Sequence, residues 1–230
     1  MAVSLEKKKE KIDIEVKNGA VTFLDVLGWK GIWEKQKDAI NLLHGLVYLI
    51  KELATEITFK ISSENPEARG INTTVLSISD TIAIFTPGIA RYALQIHAEI
   101  CERAIPESIK RAIPLRGATS YGEFSFKENI MVGAAVDESA SWHESTDWIG
   151  VILTPSPIFH LGNEYPETWI KYDHIPFKRS VRGMDRCVKW EFNEKELYKL
   201  FTDMGPFIPE IAPKYTNTIK FLENTQNLKP

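Results

Sequence analysis

At 230 residues, 43% of them hydrophobic and 26% charged, the chain can bury one core and has the composition of a globular protein, not a disordered one. A net charge of −3 gives no basic footprint for nucleic acid, and two cysteines, Cys101 and Cys187, are too few for a disulfide framework. The most apolar stretch, residues 42–50, includes His44 and is too short to cross a bilayer, and residues 5–11 lack the apolar core of a signal peptide. A cytoplasmic protein with no nucleic-acid or membrane partner is expected.

Residues 1–17 are dense in Lys, Glu and Asp and read as a solvated arm. Residues 20–27 (AVTFLDVL) are a β-branched and aromatic run, the pattern of a buried strand, with one carboxylate in it. After Gly28 the period changes. Ala39, Ile40, Leu43, Leu46, Val47, Ile50, Leu53, Ala54 and Ile57 recur at helical spacing and predict one long amphipathic helix. Residues 71–78 and 81–85 form a predicted β-hairpin with Asp80 at its turn. Thr86-Pro87 has the form of a helix start, with the helix running to about Ala104.

Residues 113–121 are a predicted strand, 130–132 a short apolar piece, 133–148 a helix and 149–153 a strand. Residues 154–170 carry Pro155, Pro157 and Pro166 and predict a long irregular connection. Residues 187–192 alternate as a strand, and Asn193 with Glu196 is a capping-box-like start to a helix through Phe201. The last 25 or so residues are weakly periodic and predict more helix. This order implies an α+β fold, a mixed and mostly antiparallel sheet covered by helices. It divides into an arm (1–17), a catalytic unit (18–192) and a C-terminal helical appendage (193–230).

Two carboxylates carry the chemistry. Asp25 interrupts an apolar strand, and a buried lone carboxylate costs several kcal/mol unless it is paired or metal-bound. Asp80 sits in a turn, where Asp commonly serves turn geometry alone. A strand and a neighbouring hairpin can bring both to one rim of a sheet. Two carboxylates and a backbone carbonyl are hard oxygen donors suited to Mg²⁺ or Mn²⁺. Two such ions can clamp a triphosphate.

The segment Phe23-Leu24-Asp25-Val26-Leu27-Gly28-Trp29 resembles the first metal motif of class III nucleotide cyclases, and Ser79-Asp80-Thr81 their hairpin metal motif, with Ser79 where they usually carry Gly. Arg116-Gly117-Ala118 with Gly122-Glu123 resembles their next strand. Gly133 to Asp137 is similar to the segment opening their following helix, and Pro176-Phe177-Lys178 to a late strand ending in a phosphate-binding lysine. The order holds over residues 20–180. The resemblance implies that Asp25, Asp80 and the carbonyl of Val26 hold two Mn²⁺ or Mg²⁺ ions. It also implies that the amides of Leu27, Gly28 and Trp29 bind phosphate, that Lys178 neutralises the terminal phosphate, and that Phe23 lies near the ribose or base.

Departures from the pattern narrow the expectation. Leu76 and Ile130 stand where purine cyclases carry base-reading polar residues, Asp137 where they carry the transition-state Asn, and Ser141 where they carry an Arg. Arg116, Arg179 and His143 are candidate replacements for that cation. Short cyclases lacking the purine readers resemble the pyrimidine cyclases of bacterial Pycsar antiphage defence. This implies a homodimer with shared active sites that converts UTP or CTP to the cyclic monophosphate. The product then activates a separate effector without direct contact between the proteins. A purine cyclase, a catalytically silent nucleotide-binding module and a plain interaction domain are the competing readings.

Overall fold

The structure, a computed structural model, describes residues 15–28, 37–127, 130–205 and 207–226. In chain order the elements are β1 (Lys17–Val26), α1 (Ala39–Glu64), β2 (Thr74–Ile78), β3 (Thr81–Pro87), α2 (Ala90–Lys110), β4 (Leu115–Lys127) and β5 (Ile130–Val132). There follow α3 (Ala134–Trp142), β6 (Gly150–Leu153), α4 (Pro155–Leu161), β7 (Trp169–Lys171), β8 (Arg186–Val188), α5 (Glu194–Met204) and α6 (Ala212–Gln226). The strands lie in the order β2-β3-β1-β4-β6-β8-β7, with β5 added to the far end of β4. β4 and β6 run parallel; the other pairs are antiparallel. The expected α+β class and mixed sheet are therefore observed.

β1 lies between β3 and β4, so each β1 residue has two cross-strand partners. Alternation sends Ala20, Leu24 and Val26 to the main core, beneath Leu46, Ile50 and Ile57 of α1 and Ala93, Ile96 and Ile100 of α2. Val21 and Phe23 point the other way. They join Ala83, Phe85 and Phe124 in a second apolar cluster covered by Ala135 and Val136 of α3. Asp25 falls on this second face, above Thr81 of β3 and Arg116 of β4. Ser139 pins α3 in place: its Oγ accepts from Phe23 N–H at 3.0 Å and donates to the Ala118 carbonyl at 2.7 Å.

On the core side a buried polar chain ties the sheet to the helices. Thr22 Oγ1 lies 2.6 Å from His97 Nδ1 and 2.6 Å from Thr119 Oγ1, and His97 Nε2 lies 2.9 Å from Thr86 Oγ1. Thr73 continues the chain from Thr86 to Thr58. Burial of His97 pushes its pKa down to about 3, so the ring is neutral at working pH.

Several sequence expectations give way. Thr86-Pro87 does not start a helix: Thr86 pairs with Ala20 and Pro87 with Gly19 at the end of β3, and the helix begins at Ala90. That helix runs on through Pro106 to Lys110. Residues 154–170 are not wholly irregular, because α4 starts on Pro155 with Thr154 as N-cap. The helix expected over 133–148 ends at Trp142, since the following residues are drawn onto the segment before Lys178 through a Thr146–Phe177 bridge. The last alternating strand spans only Arg186–Val188. Asn193 does cap α5, its side chain accepting from Glu196 N–H at 3.0 Å. Leu197, Phe201, Phe221 and Leu222 of α5 and α6 are buried in the same core as the sheet.

Candidate active site

Pairing of β1 with β3 puts Asp25 beside the β2–β3 turn, and Val26 N–H donates to the Asp80 carbonyl at 3.2 Å. The turn is two residues long, with Ile78 opposite Thr81. Ser79 holds φ +56° at its first position; one positive φ there matches a type II′ turn, which favours glycine. This geometry is what carries Asp80 to the end of β1.

Asp25 is 7% exposed and Arg116 6%. Arg116 Nε donates to Asp25 Oδ2 at 2.9 Å, and Nη2 lies 2.8 Å from the same oxygen. Arg116 Nη1 donates to the carbonyls of Thr146 at 3.2 Å and Glu144 at 3.5 Å, and the Glu144 carboxylate is 3.5 Å from Nη2. Desolvation raises the pKa of the Asp25 carboxyl. Arg116 pulls it back, and the charges of Glu144 and Asp80 push it up again. Burial is the chief cause of the rise, and the guanidinium offsets only part of it.

Lys178 reaches the same neighbourhood from the opposite side, its N–H donating to the Ser145 carbonyl at 2.9 Å. Its side chain is exposed, yet desolvation and then the Arg116 charge lower its pKa, with Asp147 and Glu144 opposing. Asp25, Asp80, Arg116 and Lys178 thus come from four distant stretches of sequence to one charged rim. Phe23 shares the face of Asp25, packed in the second cluster with its ring 6.0 Å from that of His143. Asp137 is exposed on the first turn of α3.

The loop expected to bind phosphate departs from that expectation in one place. The Leu27 N–H donates to the Pro114 carbonyl at 2.8 Å, so that amide already has a partner. Gly28 follows at φ +78°, with nothing within 4 Å of where a Cβ would sit; the dihedral, not crowding, requires glycine. Trp29 lies outside the described residues. Ser141, where a transition-state cation was sought, donates its hydroxyl to the Asp137 carbonyl within its own helix. Sequence reasoning missed Glu144 and the Thr146 carbonyl. A backbone oxygen leaves no mark on sequence, and Glu144 falls in a stretch read as helix.

Among the described residues no three of His, Cys, Asp and Glu gather into a metal cage. The donor set still fits a divalent ion. Two carboxylates at the end of neighbouring strands are hard oxygen donors that suit a metal whose other ligands are water and phosphate oxygens. The described helices include none long and apolar enough to cross a membrane.

No protein-family model matches the chain, and no curated protein does. Solved structures do match. The monomeric guanylyl cyclase domain of the RhoGC fusion protein from the aquatic fungus Blastocladiella emersonii superposes with a TM-score of 0.56 at 14% identity, covering 76% of this chain and 97% of that one. The adenylyl cyclase CyaB from P. aeruginosa gives 0.52 at 13% identity, covering 77% and 97%. An adenylate/guanylate cyclase/hydrolase from Silicibacter pomeroyi gives 0.50 at 14%, covering 76% and 95%. The chain therefore has the fold of the class III adenylyl and guanylyl cyclase domains, reached at a sequence identity too low for sequence comparison to find.

Proposed function

We propose that the protein is a nucleotide cyclase that converts a pyrimidine nucleoside triphosphate, UTP or CTP, to the 3′,5′-cyclic monophosphate and pyrophosphate. The observation that carries this reading is the convergence of Asp25 and Asp80 at the edge of a cyclase fold, with Asp25 nearly buried and paired to Arg116. In the reaction the 3′-oxygen bonds to the α-phosphorus, the bond to the β-phosphate bridge breaks, and the hydroxyl proton is released. Bound Mn²⁺ or Mg²⁺, two ions per site, would lower the pKa of the hydroxyl and neutralise the leaving pyrophosphate.

The chain's own residues hold and orient. Asp25, Asp80 and the Val26 carbonyl would hold the ions. Arg116 favours the ionised form of the Asp25 carboxylate and fixes its direction. The Gly28 and Trp29 amides and Lys178 take the triphosphate, with Phe23 against the ribose or base. Pyrimidine preference rests on Leu76, half-buried, and Ile130, 69% exposed, neither of which can hydrogen-bond a purine edge. The fold is equally compatible with a purine substrate. Exposed Asp137 would face the site of a second copy, as in an isologous dimer with two shared sites. The cyclic product would act as a second messenger in antiviral defence, switching on a separate effector.

One feature favours a second reading, a silent nucleotide-binding module: no cation stands at Ser141, and Arg116 is engaged by Asp25. The test separates these readings. The purified protein is incubated with each of ATP, GTP, CTP and UTP and Mn²⁺, and products are identified by mass spectrometry beside Asp80→Asn and Asp25→Asn. One cyclic pyrimidine nucleotide, absent from both variants, supports the proposal. A cyclic purine nucleotide transfers the assignment to the alternative substrate. Metal-dependent nucleotide binding with no product refutes the enzyme.

A further inference from the structure

The helix α6 contains none of the residues assigned to the proposed reaction, yet it grips the loop that holds Arg116. Asn217 Nδ2 donates to the Asp147 carbonyl at 2.9 Å, and Thr218 Oγ1 accepts from Ile149 N–H at 2.9 Å. Lys214 Nζ lies 3.8 Å from Asp147 Oδ1. On its other side the same loop, residues 143–149, is fixed to the segment before Lys178. Asp147 N–H donates to the Pro176 carbonyl at 2.8 Å, and Lys178 N–H to that of Ser145. The carbonyls of Thr146 and Glu144 then hold Arg116 Nη1 while its other nitrogens hold Asp25. Hydrogen bonds and backbone thus run unbroken from a side chain on the last helix to the carboxylate of the first strand.

From this we infer that Asn217 is a positioning residue: by clamping the Asp147 carbonyl it sets where the Thr146 and Glu144 carbonyls stand, and so the orientation of the Arg116 guanidinium and the Asp25 carboxylate. The physical reason is geometric. A guanidinium is planar, and its donors leave in fixed directions, so the carbonyls on Nη1 fix the plane in which Nε and Nη2 meet the carboxylate. The bond to Thr146, at 3.2 Å, is already at the long end for N–H···O, and a loop displaced by a fraction of an ångström breaks it. Asn217 is half-buried, while Thr218 beside it is fully buried and also donates to the Lys214 carbonyl inside α6. Removing the Asn217 amide therefore loosens the clamp without dismantling the helix.

The functional half of this inference rests on the cyclase reading; the structural half does not. Asn217→Ala is compared with Thr225→Ala, which removes a buried hydroxyl from the same helix at a point away from the loop. In metal-free protein the Arg116 Nε–H signal, assigned through Arg116→Lys, is followed by hydrogen exchange. In Asn217→Ala this exchange accelerates by roughly five-fold or more, as expected for loss of one supporting hydrogen bond; in Thr225→Ala it does not. With substrate and Mn²⁺, kcat in Asn217→Ala falls about ten-fold while KM for the nucleotide stays within about two-fold, because orientation and not binding is lost. Unchanged Arg116 exchange in Asn217→Ala overturns the inference, as does an equal change in both variants, which would make α6 a stabilising helix only. If the unsubstituted protein forms no cyclic product, the cyclase reading falls, and the exchange measurement still decides the clamp.

Discussion

Replacing Arg116 by methionine removes the cation facing Asp25 and keeps most of the side-chain volume. Both partners are nearly buried, at 6% and 7% exposure, and are joined at 2.8–2.9 Å. Removing one member of such a pair costs about 3–5 kcal/mol, because the other is left buried and unpaired. Asp25 lies at the sheet's end beside a turn, which places the expected loss near about 3 kcal/mol at pH 8. The penalty depends on pH. Burial already raises the Asp25 pKa against the pull of Arg116, and without the guanidinium it rises further. Between the unfolded and folded pKa values the native state then carries a proton that the unfolded chain lacks. Relative stability is therefore lost as pH rises through that window, at up to about 1.4 kcal/mol per pH unit. Urea unfolding in EDTA at pH 5 and pH 8 measures both effects, and the variant lies closer to the parent protein at pH 5. Asp25→Asn costs less, since Arg116 keeps the carbonyls of Thr146 and Glu144, and the double variant recovers about 1–3 kcal/mol of the summed losses. An equal loss at both pH values together with additive single effects would show that the two residues do not act as an ion pair.

His97, held neutral with its pKa near 3 instead of 6.5, binds a proton only after unfolding across that range. Stability consequently falls as pH drops from about 6.5, by up to about 1.4 kcal/mol per unit from this group, and His97→Gln shows a shallower acid limb in urea midpoints between pH 7 and 4. Ser79→Gly relieves the left-handed backbone at the hairpin turn and raises stability by roughly 1 kcal/mol, read as a higher melting temperature; a decrease would remove the strain argument. Phe221→Ala empties the space between Trp148, Tyr172 and Trp190, whose ring centroids lie 4.9, 5.2 and 5.8 Å away. It costs about 3–5 kcal/mol in denaturant unfolding, and a loss below about 1 kcal/mol would mean that α6 docks without packing.

The same dipeptide shows where sequence stopped being sufficient. Thr86-Pro87 and Thr154-Pro155 carry one helix-start signal, yet only the second opens a helix. Thr86 is held in the sheet by Ala20, and its hydroxyl joins the His97 chain, whereas Thr154 stands one residue past the end of β6, its N–H making a last bond to the Thr119 carbonyl before the chain turns into α4. A cap contributes about 1 kcal/mol, and strand pairing with burial on both faces outweighs it. Asp25 and Asp80 were legible because their signals are local: a carboxylate in an apolar strand, and a two-residue turn between β-branched runs. The alternation of β1 also placed Phe23 and Asp25 on one face. The Leu27 amide, by contrast, was expected to meet phosphate and instead meets Pro114, a partner 87 residues away in the chain.

By itself the sequence determined most of the element types, the hairpin and the positions of the two carboxylates, since propensity, period and turn chemistry act over a few residues. Tertiary structure alone decided that β1 would lie between β3 and β4, that Arg116 would close on Asp25, and that the last helix would grip the loop behind it. The last two join residues 69 to 91 positions apart, and the geometry of all three follows from the packing of the whole sheet.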